Sequence, residues 1–319
     1  MDGENANLFD ENSFRYSIVV CTKNRPDEIK SFLNSLTIQR SDSLALVIVI
    51  DGSAENNGSH RSTSEKLTHH FNPKFVTIRT SGGKPTALNL AMTYLENNAI
   101  SLDATVFLDD DITFKLIEIE KGIRYLKEKN VCGLSPLIIN EGDFCRRKRF
   151  MNRPGIFPQK PGALTKSGEN RGINAHNIQG EWMNTDWLPG GASIYDWNRI
   201  RQLRFSEQLE NPDLNGYALG DDVDFSIRAS EKGVLGCLQE IQVIHSSPAS
   251  SYRNPIAIAI AKGRWKAFLV TQYPDRFSKV RIVTMEIMRS FWRAFFRANP
   301  KSSWHFLINF LREFHRHTK

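Results

Sequence analysis

The chain has 319 residues, of which 40% are hydrophobic and 24% charged, and its formal net charge is +7. This composition indicates a soluble globular protein of enzyme size, with one large domain and an appendage or two small domains. Four widely spaced cysteines exclude a disulfide scaffold, and no run of about 18 apolar residues could span a bilayer. Residues 1–15 are too polar for a signal peptide, so we expect a cytoplasmic protein with a disordered tail at residues 1–14.

The first half of the chain alternates strand and helix patterns. Nearly continuous apolar and β-branched runs predict buried strands at residues 16–21, 44–50, 75–79 and 104–108. Helical spacing of apolar residues predicts helices after Pro26, after the Gly82-Gly83 turn and from about residue 114 to residue 129. This order predicts an α/β fold with a Rossmann-like, mostly parallel sheet.

Polar clusters follow the predicted strands. In open parallel sheets ligands bind beyond the carboxyl ends of the strands, so we expect these clusters to share one site. The clusters are residues 22–25, Asp51, residues 82–84 and residues 109–111. The sequence therefore predicts a site of the kind that binds a nucleotide.

Three adjacent carboxylates, Asp109, Asp110 and Asp111, close the fourth predicted strand. Aspartates are depleted in strands and repel one another, so we expect a divalent cation or a network of donors to neutralise them. A metal site is the first hypothesis. The alternative is a solvated turn or a helix N-cap, in which Asp111 starts the helix that follows.

Residues from about 143 to 180 are rich in Gly, Pro, Asn and basic residues, including four consecutive basic residues at positions 146–149. The segment has weak periodicity over a length that is unusual for a connection inside a compact domain. We expect a mobile loop here, whose arginines contact either phosphate or solvent.

Several short motifs, taken in order along the chain, resemble a family 2 glycosyltransferase of the GT-A fold. They are SIVVCTKNRP at residues 17–26, VIVIDGS at 47–53, GKPTALN at 83–89, FLDDD at 107–111, GDDVDF at 220–225, and His245. Each motif alone is weak, but their order is specific. The resemblance implies a catalytic domain at residues 15–252, with a nucleotide-binding half at about 15–140 and an acceptor half at about 180–252.

The resemblance implies that the predicted site binds a nucleotide-sugar and a divalent metal ion. Asp111 would bind Mg²⁺ or Mn²⁺, and Asp109 would contact the ribose or the water shell of the metal. His245 matches a histidine that completes the metal or diphosphate site, although a lone histidine is more often structural. The other donor-binding residues that the resemblance implies are Thr22 and Arg25 at the base and ribose, Asp51 at the imino group of the base, and Asp110.

Two further residues have both a functional and a structural interpretation. Lys84 opens a predicted helix in a glycine-flanked turn. In the functional interpretation, the helix N-terminus and the Lys84 ammonium both attract phosphate. In the structural interpretation, Lys84 is a solvated turn residue. Asp222 matches the catalytic base of the family, which takes the proton of the acceptor hydroxyl. Alternatively, Asp221 and Asp222 cap the following helix, and both roles hold if Asp221 caps while Asp222 faces the substrate.

The segment WLPGGAS at residues 187–193 combines a tryptophan with two glycines, which let the backbone approach a donor sugar closely. Trp182 and Trp187 either stack on a sugar ring or belong to the core. The chain lacks the glutamine of the QxxRW motif of processive synthases, so the resemblance implies transfer of a single sugar.

Basic residues are concentrated at the end of the chain, because residues 253–319 carry a net charge of +11 and the first 252 residues a net charge of −4. Helical spacing predicts two amphipathic helices in this extension. The first helix has one apolar face with arginines alongside. Its apolar residues are Val280, Val283, Ile287, Phe291 and Phe295, and its arginines are Arg289, Arg293 and Arg297. The apolar residues of the second helix are Trp304, Leu307, Ile308, Leu311 and Phe314.

Basic amphipathic helices with aromatic residues suit an anionic membrane surface, which would make the protein peripheral on the cytoplasmic face. The alternatives are a helical pair packed on the catalytic domain or a homodimer interface, with the charges solvated. Nucleic acid is not expected as a partner, because no binding module is recognisable.

Sequence and resemblance together predict a metal-dependent, inverting glycosyltransferase that adds one sugar to a glycan or lipid-linked acceptor in cell-surface polysaccharide synthesis. The donor would be a UDP-, GDP- or dTDP-sugar. Two alternatives stay open. One is a sugar-phosphate nucleotidyltransferase, a class that usually has a glycine-rich loop after the first strand, which this chain lacks. The other is a non-catalytic protein that binds nucleotide-sugar or acts as a membrane scaffold.

Overall fold

The fold is known from a computed structural model that describes residues 14–39, 41–53, 75–98, 100–139, 160–173, 180–211, 216–246, 255–296 and 300–318. The expected N-terminal tail, apart from residue 14, and the four basic residues at positions 146–149 lie outside the described residues. The same holds for all of the expected mobile loop except residues 160–173 and 180.

Four parallel strands form one half of the central sheet, as the apolar runs predicted. Their order is β3–β2–β1–β4, and the strands are β1 (Tyr16–Thr22), β2 (Leu44–Asp51), β3 (Phe75–Arg79) and β4 (Ala104–Asp109). In register, Thr22 at the end of β1 lies opposite Asp51, and Cys21 lies opposite Asp109. The carboxyl ends of β1, β2 and β4 therefore bring their polar residues to one edge.

The other half of the sheet is mixed. Strand β8 (Ala192–Asp196) runs antiparallel to β4, and β6 (Gly133–Ile138) runs antiparallel to β8. The long strand β9 (Leu235–His245) pairs in parallel with β6 and antiparallel with two short strands, β7 (Trp182–Asn184) and β5 (Ile112–Thr113). Because β5 directly follows the aspartate triple, its pairing with the end of β9 connects that triple to a segment far along the chain.

The helices fill the connections. In chain order they are α1 (Pro26–Thr37), α2 (Lys84–Asn97), α3 (Leu116–Glu128), α4 (Trp197–Ile200), α5 (Asp221–Ser230), α6 (Pro255–Gln272), α7 (Lys279–Phe296) and α8 (Pro300–Arg316). Helix α1 begins with a proline and two acidic residues, which suit an N-terminal turn. Helix α3 begins at Leu116 after β5, so the suggestion that Asp111 starts a helix is wrong.

Two layers of apolar side chains cover the two faces of the sheet. Alternate residues of the central strands point to opposite faces: Ile18 and Val20 of β1 pack with α1 and α3, and Val19 packs with α2 and α5. Both faces are covered, which is why these strands read as continuous apolar runs rather than alternating ones. The predicted α/β architecture with a mostly parallel sheet is confirmed.

Phe225 on α5 is the centre of an aromatic group beneath the sheet. It is fully buried, its ring stacks on Phe205 with centroids 4.0 Å apart, and its edge contacts include Tyr195 at 5.3 Å. We expect Phe225→Ala to lower the free energy of unfolding by about 3–5 kcal/mol, because it removes buried surface and leaves a cavity. Denaturant unfolding measures this loss.

The control for Phe225→Ala is Ile117→Ala, at an exposed position on α3, which should change the free energy of unfolding by less than about 0.5 kcal/mol. Similar losses in both variants would contradict the assignment of Phe225 to the core.

The C-terminal helices pack on the rest of the chain through a third apolar cluster. Trp187, Val223 and Ile227 meet residues of α6, α7 and α8 there. Gly220 has a positive φ of 84°, and a Cβ on it would lie 2.3 Å from the Trp265 ring, so α6 contacts the start of α5 directly. The two amphipathic helices are thus present, and they pack on the preceding part of the chain. None of the described helices is both long enough and apolar enough to cross a bilayer.

Candidate active site

An open cleft of about 490 Å³ lies at the carboxyl edge of β1, β2 and β4. Its volume falls in the range of small-molecule sites, about 300–1,000 Å³. The cleft is lined by the ends of those strands, the start of α2, the glycine pair before β8 and the start of α5. Six of the predicted site residues belong to this lining: Thr22, Arg25, Lys84, Asp109, Asp110 and Asp222. The other three predicted residues, Asp51, Asp111 and His245, are next to lining residues rather than in the lining.

Thr22 lies at the inner end of the cleft, with Asp51 beside it. They are register partners on β2 and β1, and both are buried. The Asp51 carboxylate accepts a hydrogen bond from the Ser53 N–H at 2.9 Å, and the Gly52 N–H donates to the Thr22 carbonyl at 2.9 Å. These bonds fix the turn after β2 against the end of β1, which holds the two side chains side by side.

The three aspartates after β4 point in different directions. Asp109 accepts a hydrogen bond from Lys84 Nζ at 2.5 Å. Asp110 turns back toward β1, where it accepts from Thr22 Oγ1 at 2.8 Å and from Arg25 Nη1 at 2.5 Å. Asp111 accepts from Arg25 Nη2 at 2.6 Å. A network of protein donors therefore neutralises the cluster, which is one of the two arrangements that the sequence predicted.

Burial and pairing shift the pKa values of Asp110 and Asp111 in opposite directions. Burial raises the pKa of Asp110 to about 7, although Arg25 and the Thr22 hydroxyl favour its ionised form. Burial would also raise the pKa of Asp111, but His245 and Arg25 outweigh it and hold the pKa of Asp111 well below its usual range. Asp111 is consequently an anion at neutral pH.

Strand β9 brings His245 to the aspartates. His245 is the register partner of Ile112 in β5, and its Nε2 lies 3.1 Å from Asp111 Oδ1. The two atoms are at ion-pair distance, yet among the described residues Asp111 Oδ1 accepts no bond of hydrogen-bond geometry. This buried oxygen keeps a lone pair that can serve a cation.

The donor set fits a divalent metal ion. One atom each of Asp109, Asp111 and His245 lies within 4.8 Å of the others. Two ligands on opposite sides of one Mg²⁺ are about 4.2 Å apart, so small rotations of these side chains bring them to coordination distance. Two carboxylates and an imidazole suit Mg²⁺ or Mn²⁺. Lys84 would then give up its bond to Asp109, whereas Arg25 bonds to Oδ2 of Asp111 and leaves Oδ1 available.

A chain of hydrogen bonds connects the aspartate cluster to Asp222. Lys84 Nζ donates to Asp109 and also to the Gly190 carbonyl at 3.2 Å, and the Gly190 N–H donates to Asp222 Oδ2 at 3.1 Å. A Cβ on Gly190 would lie 3.1 Å from the Asp222 Cβ, closer than side chains normally pack. The glycine thus allows the backbone to pass close to Asp222. The approach to a donor sugar that the WLPGGAS segment suggested stays a prediction.

Asp221 and Asp222 are the first two residues of α5, whose N-cap is Gly220 in the left-handed conformation. Their carboxylates accept from N–H groups of the first turn: Asp221 from its own N–H and that of Asp222, and Asp222 from the Val223 N–H at 2.8 Å. Both residues therefore stabilise the start of the helix, and the substrate-facing role of Asp222 stays a prediction. Burial and the adjacent Asp221 both raise the pKa of Asp222 above the usual range of aspartate. Asp222 thus combines an orienting bond from Gly190 with increased basicity.

Glu210 is a site residue that the sequence did not predict. Its carboxylate accepts hydrogen bonds from the N–H groups of Gly83 at 3.0 Å and Thr86 at 2.7 Å, at the N-terminus of α2. A carboxylate of the chain itself therefore holds this helix N-terminus, which corrects the expectation that it attracts phosphate. No motif or spacing could have revealed the pair, because 127 residues separate Glu210 from Gly83.

Three other side chains have structural contacts. Trp187 is buried in the third apolar cluster, and Trp182 stacks on Tyr125 with centroids 5.1 Å apart, so both follow the core interpretation. Asn89 donates to the Phe205 carbonyl and accepts from the Phe205 N–H, which fastens α2 to the loop before α5.

Solved structures of similar fold are nucleotide-sugar enzymes. They include Staphylococcus aureus TarS residues 1–349 with UDP-GlcNAc, at 15% identity, a TM-score of 0.53 and coverage of 96% of this chain and 82% of that one. A mannosyltransferase from Pyrobaculum calidifontis with GDP-Man and Mn²⁺ matches at 13% identity, a TM-score of 0.55 and coverage of 96% and 88%. GalNAc-T7 with UDP, GalNAc and Mn²⁺ matches at 14% identity and a TM-score of 0.54, over 82% of this chain and 51% of that one.

No curated protein sequence matches the chain. The model of the glycosyl transferase family 2, however, matches residues 17–183, which are more than half of the chain and include β1, β2, α2 and the aspartate triple. The order of motifs, the carboxyl-edge cleft and the shared fold agree with that match. The chain belongs to glycosyl transferase family 2, and it is a glycosyltransferase with the GT-A fold.

Proposed function

We propose that the protein transfers one sugar from a nucleotide diphosphate donor to an acceptor hydroxyl, with a divalent metal ion and with inversion at the anomeric carbon. The observation that carries the proposal is the hydrogen-bond path from Asp109 through Lys84 and Gly190 to Asp222. The path connects a metal-binding group and a base, and both of them line the same cleft. Glycosyl transfer needs these two groups on the two sides of the reacting carbon.

The donor nucleotide occupies the inner end of the cleft in this proposal. Asp51 and Thr22 contact the base and ribose, and Asp110 orients Thr22 and Arg25 by its two hydrogen bonds. Arg25 supplies positive charge for the diphosphate while Asp110 holds it, and Lys84 does so once it leaves Asp109. UDP-, GDP- and dTDP-sugars are the candidate donors, because other structures of this fold hold UDP-GlcNAc or GDP-Man.

Asp109, Asp111 and His245 would hold Mn²⁺ or Mg²⁺ beside the diphosphate. The ion neutralises the charge that develops on the leaving group. Asp222 Oδ2 accepts the proton of the acceptor hydroxyl, and the Gly190 N–H keeps this oxygen oriented. The hydroxyl oxygen then forms its bond to the anomeric carbon opposite the bond to the diphosphate, so one displacement inverts the configuration.

The acceptor in our proposal is a growing glycan or a lipid-linked sugar in the synthesis of a cell-surface polysaccharide, on the cytoplasmic face of an anionic membrane. Support comes from the net charge of +11 in residues 253–319. Residues 15–140 form the donor half of the catalytic domain, residues 180–252 the acceptor half, and residues 253–319 the extension. The family assignment decides against the nucleotidyltransferase alternative.

Incubation with panels of nucleotide-sugars and acceptors tests the proposal. We expect release of nucleoside diphosphate from one donor, only with Mn²⁺ or Mg²⁺, and a product whose anomeric configuration by proton NMR is opposite to that of the donor. Retention of configuration, or equal turnover in the presence of a chelator, would contradict the mechanism. Nucleotide binding without turnover across both panels would favour the non-catalytic alternative.

A further inference from the structure

Helices α7 and α8 expose large apolar side chains on their outer side. Four come from α7 and two from α8, and each is between 42% and 74% exposed: Val280, Met288, Phe291, Trp292, Trp304 and Ile308. The rings of Phe291 and Trp304 contact each other edge to face with centroids 5.3 Å apart, so the two helices contribute to one continuous surface. We call these six residues the outer aromatic face. Exposed apolar surface of this kind marks an interaction site.

The inner side of α7 combines the buried apolar residues Ile282 and Met285 with ion pairs. Glu286 is fully buried and pairs with Lys262 of α6, and Arg289 bonds to Glu286 at 3.1 Å and to Glu169. The sequence predicted an apolar stripe beside solvated arginines. Val280 and Phe291 of that stripe are exposed, but Val283 packs against the third apolar cluster. Arg289 is held in ion pairs, which corrects the expectation of solvation for this arginine. The side chains of Arg293, Phe295 and Arg297 lie outside the described residues.

The inner ion pairs extend to residues 160–173, the described part of the expected loop. Lys266 Nζ bonds to Glu169 at 2.9 Å, and Glu169 is buried. Burial would raise the pKa of Glu169, but Lys266, Lys262 and Arg289 outweigh it and hold that pKa well below its usual range. Removing one partner from such a buried cluster is costly, so the orientation of α7 is fixed.

The charge of the surrounding chain identifies the occupant of this face. Exposed Lys279 and Arg281 precede the aromatic residues on α7, and exposed Arg312 follows Ile308 by one turn on α8. The extension has a net charge of +11, so a second copy of the chain would bring like charge against like charge. A surface with anionic headgroups and an apolar interior complements both properties, and tryptophan favours the boundary between them.

We propose that the outer aromatic face docks on an anionic lipid membrane, with Phe291, Trp304 and Ile308 inserted at the headgroup boundary. The inference deepens the proposed location by naming the surface that binds, and it is independent of the sugar-transfer chemistry. The helices lie on the membrane rather than across it, since none of the described helices can span a bilayer. The basic residues contact the headgroups while the six apolar residues enter the boundary.

Flotation of the full chain with phosphatidylcholine vesicles, with and without phosphatidylglycerol, tests the proposal. We expect binding to be about tenfold stronger with the anionic lipid and to weaken as salt is raised. The triple variant Met288→Gln, Phe291→Gln and Ile308→Gln should bind about tenfold more weakly than wild type. Its matched control, Ile38→Gln, Ile117→Gln and Ile139→Gln, changes three exposed apolar residues elsewhere and should bind like wild type.

Two further measurements separate this proposal from other outcomes. Quenching of tryptophan emission by brominated lipid reports the insertion of Trp292 and Trp304 in wild type without any substitution. The triple variant keeps both tryptophans, so the same measurement can be made on it. Titration with nucleotide shows whether the catalytic cleft is intact in each variant. Equal binding to both vesicle types, or unchanged binding by the triple variant, would overturn the proposal. So would a wild-type dimer that the triple variant converts to monomer.

Discussion

Asp222→Asn is expected to lower the rate of sugar transfer by about 10²- to 10⁴-fold, the usual contribution of a general base. Asparagine has the same size, and its carbonyl oxygen can still accept one of the bonds from the N–H groups of Gly190 and Val223. It cannot take a proton. Nucleotide affinity should therefore change by less than about twofold, because Asp222 touches none of the groups assigned to the nucleotide. Steady-state kinetics and calorimetry measure the two quantities.

The same helix offers a matched control for that substitution. Asp224 is buried and accepts bonds from Ser206 Oγ at 2.7 Å and Tyr273 Oη at 2.6 Å, away from the cleft. We expect Asp224→Asn to lower the free energy of unfolding by about 1–3 kcal/mol while transfer continues. Asp222→Asn could instead lose nucleotide binding and also lose stability to the same extent as Asp224→Asn. That result would show that Asp222 has a structural role.

The pH dependence of transfer should carry the signature of Asp222. The base acts in its ionised form, so activity falls as pH falls through its pKa. Burial and Asp221 raise the pKa of Asp222 above the usual range of aspartate, and the acid limb of kcat/KM should therefore lie above that range too.

Asp111→Ala is expected to weaken Mn²⁺-dependent nucleotide binding by at least about 100-fold, since even residues behind metal ligands contribute 10- to 100-fold. The variant removes a carboxylate whose buried Oδ1 accepts no bond of hydrogen-bond geometry among the described residues. Without metal we expect the effect of Asp111→Ala on nucleotide affinity to have the opposite sign. Nucleotide binding by Asp111→Ala should then equal or exceed that of wild type, because an anion beside the diphosphate is gone.

Glu128→Ala provides the control for the change in charge, because Glu128 is an exposed residue at the end of α3. It should leave nucleotide binding unchanged with and without Mn²⁺. A uniform loss of binding by Asp111→Ala under both conditions would indicate that Asp111 acts by holding Arg25 in place rather than by binding metal.

The sequence alone predicted the strands that form the edge of this site well. Apolar runs located β1 to β4 to within about one residue at each end, and the rule for parallel sheets brought Thr22, Asp51 and Asp109 to one edge. Those inferences hold because each depends on a local pattern and on one general property of the fold.

Contacts over long sequence separations could not be predicted in the same way. His245 reaches Asp111 only because β9 continues past β6 and pairs with β5, and Glu210 reaches Gly83 through a turn without regular structure. The resemblance to the family supplied His245, but nothing supplied Glu210.

The orientation of α7 is the clearest case of a pattern with two interpretations. Spacing showed an apolar stripe and a basic stripe, and apolar stripes usually face the core. Here the buried partners Glu169 and Lys262 pair with Arg289 and Glu286 on the inner side. Val280 and Phe291 of the stripe are exposed, whereas Val283 packs inward. A single helix does not reveal which of its faces has partners elsewhere in the fold.

Calorimetric titration of UDP, GDP and dTDP into the purified chain, with and without Mn²⁺, tests the central claim most directly. The account predicts that one nucleotide binds, that Mn²⁺ strengthens its binding, and that Asp111→Ala removes the effect of the metal. Binding of none of the three nucleotides by folded protein, or binding that is indifferent to Mn²⁺, would contradict it.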